Sequence, residues 1–82
     1  MDTPKGFEVQ AMSDEDYDDL IVEVLYEGEF CCLVSQEQGF ENLRVAVHPR
    51  RDGKAWDFSM KELEAALKKA AERLWELRRV QE

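Results

Sequence analysis

The chain of 82 residues holds one histidine, two cysteines side by side and four glycines scattered along its length. Each shortage excludes a class of chemistry. With His48 alone and Cys31 and Cys32 as the only thiols, the ligand pairs of a structural zinc site cannot be assembled. Neighbouring residues of a strand point to opposite faces, which disfavours a disulfide between these two cysteines. They read instead as small buried apolar residues. Glycines at 6, 28, 39 and 53 form no cluster that would cradle a phosphate. Apolar runs are only a few residues long, so no segment is expected to span a bilayer, and the opening MDTPKGFEVQ lacks the profile of a secretory signal. The expected compartment is the cytoplasm. His48 stands beside Pro49 with no Ser or Cys marked as a nucleophile partner, and it reads as a surface histidine. No catalytic residue, metal ligand or cofactor site emerges, and the expectation is a protein that is not an enzyme.

Basic residues are nearly missing from the first half. Residues 1–41 carry twelve acids and one base (Lys5), a net of −11; residues 42–82 carry seven acids and ten bases, a net of +3. Asymmetry of this kind reports on partners more than on fold. An acidic half repels nucleic acid and anionic membranes and attracts basic proteins, so neither nucleic acid nor membrane is expected as a ligand. The small basic loop Arg50, Arg51 and Lys54 does not offset a net charge of −8.

What is present is a folding pattern. A hydrophobic content of 44% with 10% aromatics is that of a globular chain, and 82 residues make one domain. The spacing predicts an acidic N-terminal segment (1–19), a β-meander (20–48) and a C-terminal helix (59–79). Leu20 to Tyr26 is rich in β-branched residues, and Glu27-Gly28-Glu29 separates it from Phe30 to Ser35, a hairpin signal. Asn42 to His48 alternates at period two and stops at Pro49. Phe7, Val9 and Ala11 alternate as well and suggest an additional edge strand. Tyr17, Leu20, Ile21, Val24 and Leu25 also match helical spacing with Ser13 as N-cap, but Ile21, Val22 and Val24 favour a strand. Ser59 and Glu62 make a capping box with Phe58 and Leu63 at the staple positions. Leu63, Leu67, Ala70, Leu74 and Leu77 then form one stripe, Trp75 lies just off it, and Arg78 and Arg79 suit the last turn. The stripe is also a short heptad seam, and packing on the chain's own sheet is the preferred reading over a coiled coil. The fold class expected is α+β: a three- or four-stranded antiparallel meander followed by one C-terminal helix.

Both faces of the first hairpin read as largely apolar, with Ile21 and Leu25 opposite Val22 and Val24, and with Cys31 and Leu33 opposite Cys32 and Val34. One helix covers one face of a sheet. The other would be an apolar patch of the kind that marks an interface, covered either by the N-terminal segment folding back or by a second chain, and a homodimer is the economical expectation.

The most distinctive surface motif is Asp14, Glu15, Asp16, Tyr17, Asp18 and Asp19. Its Asp-x-Asp-x-Asp opening is similar to a calcium loop. The sixth position, where such loops need Gly, is Asp19, and the twelfth, where they need Glu, is Leu25. That leaves a solvated acidic turn or a contact surface for a basic protein, with a loose cation site as a further alternative. These six residues are the candidate binding residues.

Two stretches, Leu25–Gln38 (LYEGEFCCLVSQEQ) and the closing Trp56–Leu77 helix, resemble small bacterial proteins of immunity-protein type. The resemblance is one of turns and apolar strands and carries no particular residue across. It implies a non-enzymatic inhibitor that neutralises a basic toxin or nucleic-acid enzyme, with a self-associating structural domain as the alternative.

Overall fold

The computed structural model describes residues 3–81, with side-chain surroundings as far as Leu77. Four strands, β1 (Phe7–Met12), β2 (Ile21–Tyr26), β3 (Glu29–Ser35) and β4 (Arg44–Val47), precede one helix, α1 (Met60–Gln81), with a short 3-10 turn at Phe40–Asn42. The strands pair antiparallel in the order β1-β2-β3-β4. The expected α+β meander with a single C-terminal helix is therefore the fold, in its four-stranded form. Of the run that also matched helical spacing, Ile21, Val24 and Leu25 lie in strand β2, and Tyr17 and Leu20 in the connection before it. Arg78 and Arg79 lie in α1, and their side chains fall outside the described residues.

Local chemistry accounts for the elements. Glu27 and Gly28, with φ of 50° and 84°, join β2 to β3 as a two-residue turn whose positive φ values match the twist of the flanking strands. At the start of α1, the Glu62 N–H donates to Ser59 Oγ at 3.3 Å, which forms one half of the expected capping box. Val9 faces Val24 and Ala11 faces Val22 across the first ladder. Val22 and Val24 in turn face Val34 and Cys32 across the second, so one face of the sheet is continuously apolar.

Onto that face α1 presses Ala66, Ala70 and Leu74, each 0% exposed. Two alanines let the helix axis approach the sheet closely. Leu67, which the seam reading placed in the stripe, is only partly buried, while Ala66 is fully so. The buried positions follow the 3.6-residue period of a straight helix on its own sheet. At the end of the sheet where α1 begins, Phe7, Tyr26 and Phe58 pack with ring centroids 4.9–5.1 Å apart. Trp56 stacks on Phe58 and donates from Nε1 to the His48 carbonyl at 2.6 Å, tying the β4–α1 connection down.

Gly6 closes this aromatic corner. Its φ is +90°, and a Cβ there would lie 3.0 Å from Tyr26 Cε1. Both the backbone conformation and the ring oppose a side chain. Gly6→Ala is expected to cost about 1–3 kcal/mol, a fall in Tm of roughly 5–15 °C by thermal melt. A melt within a degree of the wild type would show that the corner yields freely.

Two expectations need correction. Cys31 and Cys32 do not face opposite sides. The register shifts between Val24 and Leu25, which pair with Cys32 and Phe30, so Cys31 is an extra residue in a β-bulge. Both cysteines consequently join the core cluster under α1, and both thiols are free. Nor does the exposed apolar surface lie on the side of the sheet away from the helix. There Ile21 and Leu33 are 1% and 8% exposed. Instead, α1 packs over β1 and β2, touches β3 lightly and leaves β4 uncovered. Val45 is 45% and Val47 67% exposed on the helix side of the sheet. A helix about 10 Å across covers about two strands spaced 4.8 Å apart. Four strands are too many for one helix.

Candidate functional site

The connection between β1 and β2 carries the acidic motif, and hydrogen bonds give it a definite shape. Asp14 Oδ1 accepts the Asp16 N–H at 2.8 Å, and the Asp14 carbonyl accepts the Tyr17 N–H at 3.0 Å, so Asp14 builds the first turn. The second half is anchored from outside. Glu37, on the turn after β3, accepts the Asp18 N–H on Oε1 at 2.9 Å and the Asp19 N–H on Oε2 at 3.0 Å. Gln36 Nε2 donates to the Leu20 carbonyl at 2.8 Å beside it. The loop is held against the end of the sheet by two consecutive residues of another turn.

Asp14, Glu15, Asp16, Asp18 and Asp19 are all exposed, and Tyr17 is half-buried among them. Among the described residues, the ion pair formed is Arg50 with Asp52 at 2.9 Å, well away from this loop in sequence. The loop carboxylates therefore face solvent with no ion-pair partner among the described residues, and Glu37 adds a sixth acid against Asp18 and Asp19. Like charges held together weaken the fold. The loop thus combines a defined hydrogen-bonded shape with a concentration of exposed negative charge. The six residues singled out from the sequence are thus brought together on one loop. Glu37, eighteen residues beyond Asp19, was not recognisable as their anchor, because nothing in its local pattern distinguishes it from the other surface acids.

A second surface runs between β4 and α1. Val45, Val47, Met60, Leu63 and Leu67 line a groove of about 360 Å³, with Cys31 and Cys32 at its floor and Trp56 and Phe58 at one end. Met60 is 75% exposed. Further along the same flank of the helix, Trp75 packs on Phe40 at 5.0 Å and remains 46% exposed, as its place beside the stripe suggested. Among the described residues, these four (Val45, Val47, Met60 and Trp75) are the large apolar side chains left exposed, and all lie on β4 or α1.

The remaining reactive groups are arranged for structure. Burial pushes the Cys32 thiol up to about 12, helped by the neighbouring Cys31 sulfur, and burial likewise raises Cys31. Thiols held protonated are poor nucleophiles and poor metal ligands. His48 packs against Phe30 with ring centroids 4.5 Å apart and the rings tilted by 49°. Among the described residues, no three His, Cys, Asp or Glu side chains converge as a metal-holding group, and no helix is long and apolar enough to cross a membrane.

Compared with known protein families, curated proteins and solved structures, the chain matches none. Its class therefore rests on its own geometry: a small α+β domain with a shaped acidic loop and a separate apolar groove beside an open sheet edge.

Proposed function

We propose that the protein is a non-enzymatic protein-binding domain that docks a basic partner through the loop Asp14–Asp19 and blocks it. A basic toxin or nucleic-acid enzyme is the partner that the resemblance to immunity proteins implies. The observation that carries this reading is the Glu37 anchor, which fixes a loop of uncompensated carboxylates in one conformation. A contact surface ordered before binding loses less entropy on association. Its field speeds encounter with a positively charged face, and Tyr17 supplies an aromatic within the acidic set.

Replacing Asp16, Asp18 and Asp19 by Asn tests this. Thermal stability should be unchanged or slightly raised, because repulsion is relieved. In affinity capture from the source cells and in stopped-flow mixing with the captured protein, association should slow roughly 10-fold or more at low salt. The deficit should shrink as salt screens the wild-type attraction. A triple variant that captures the same proteins at wild-type rate in low salt would make the loop a solubilising feature only.

A second reading, self-association, is favoured by a different observation: Val45 and Val47 lie bare on an edge strand. On this reading the protein sediments as a homodimer at micromolar concentration, and the acidic loop remains free on each copy.

A further inference from the structure

The unroofed strand β4 also has no strand beside its outer edge, and its hydrogen-bonding pattern states what that edge lacks. The His48 N–H donates to the Cys31 carbonyl at 2.8 Å. Cys32 faces Val47, Leu33 faces Ala46 and Val34 faces Val45. In an antiparallel ladder, inward and outward backbone groups alternate. With His48 directed at β3, Ala46 and Arg44 are too, so the N–H and C=O of Val45 and Val47 point away from the sheet. The edge thus presents two donors and two acceptors in a row, flanked by apolar side chains.

We propose that β4 pairs antiparallel with β4 of a second copy, about a two-fold axis through Ala46, joining two sheets into one of eight strands. This rests on the self-association reading and gives it a surface and a register. With Ala46 opposite Ala46 of the second copy, Val45 of each chain lies opposite Val47 of the other. Each such pair exchanges two hydrogen bonds, so all four outward groups of both edges are satisfied with none left over. The interface is isologous, as a closed dimer requires. The four valines stand on one face and pack in cross-strand pairs. Placement of α1 over β1 and β2 permits the approach: β3 and β4 of both copies separate the two helices, so the helices do not collide. The other edge, β1, is less suited, since α1 covers its apolar face and Glu8 and Gln10 are exposed along it.

Ala46→Cys tests the register. Residues opposite one another at a non-hydrogen-bonded position have Cα atoms about 4.5 Å apart, within disulfide range. Mild oxidation should convert this variant to a covalent dimer on a non-reducing gel. The wild type, whose thiols are buried, and a Lys54→Cys control should stay largely monomeric on the same gel. In sedimentation equilibrium the wild type should be a dimer, and Val47→Lys, at an exposed position, should be a folded monomer. Wild-type dimer mass should strengthen with salt, because each copy carries a net charge of −8. A dimer that survives Val47→Lys, with no cross-link through residue 46, would overturn the β4 pairing and leave self-association through another surface. A wild type that is monomeric at micromolar concentration would overturn both. A cross-link in Ala46→Cys together with loss of the dimer in Val47→Lys would establish the pairing.

Discussion

Truncating Leu74 to Ala should unfold much of the protein's margin of stability. Leu74 is 0% exposed and belongs to the core cluster that includes Val22, Val24 and Val34 of the sheet and Ala70 of its own helix. Its loss removes buried methyl groups and leaves a cavity that flanking alanines are too short to fill. Large-to-small changes at such sites cost about 2–5 kcal/mol. For a domain of this size that corresponds to a fall in Tm of roughly 10–30 °C, a large part of a total stability of about 5–15 kcal/mol. Met60→Ala is the control. At 75% exposure, Met60 should change stability by no more than about 0.5 kcal/mol.

Stability should decline on the alkaline side, and Cys32 should account for a measurable share. An unfolded thiol titrates near the ordinary value of 9.0, whereas the native Cys32 thiol is pushed up to about 12 by burial and by Cys31. Below the unfolded value both states are protonated, and the thiol's contribution to the fold is fully present. As pH rises past 9 the unfolded state releases its proton while the native state retains it, so stability is lost progressively until the native thiol itself ionises. The slope is at most about 1.4 kcal/mol per pH unit for one thiol. The readout is the difference between the wild type and Cys32→Val, a substitution suited to a buried strand position facing Val24 and Val47. Urea melts across this range should show the wild type losing stability faster than the variant. Parallel curves would mean that Cys32 does not stay protonated in the native state.

These experiments bear on the two surfaces unequally. The core mutation and the alkaline titration probe the scaffold that positions both the acidic loop and β4. The Asn triple variant and the residue-46 cross-link address one surface each. A protein that binds a basic partner through its loop and a second copy through β4 would present two loops per particle. A partner with repeated or symmetric basic sites would then be held more tightly than by a single copy.

Much of the fold was legible in the chain because it depends on near neighbours. The β-branched run from Ile21, the Glu27-Gly28 turn, the alternation that ends at Pro49 and the Ser59 cap each act within a few residues, and together they specify a meander and a helix. The acidic motif was equally legible, since charge density needs no partner to be seen. Only the tertiary structure decided the rest, because each remaining feature joins residues far apart in sequence. The bulge at Cys31 depends on how β3 pairs simultaneously with β2 and β4, and one extra residue there turned both thiols into the core. The position of α1 depends on close packing of Ala66 and Ala70 against β1 and β2, which left β4 without a roof. Glu37 is one of nineteen acids until the β3 turn carries it under Asp18 and Asp19. Periodicity along the chain determined which residues would be strand, helix and charged loop. Which strand edge stayed open, and which acid anchored the others, were settled by packing between elements, where a shift of one residue exchanges one face for the other.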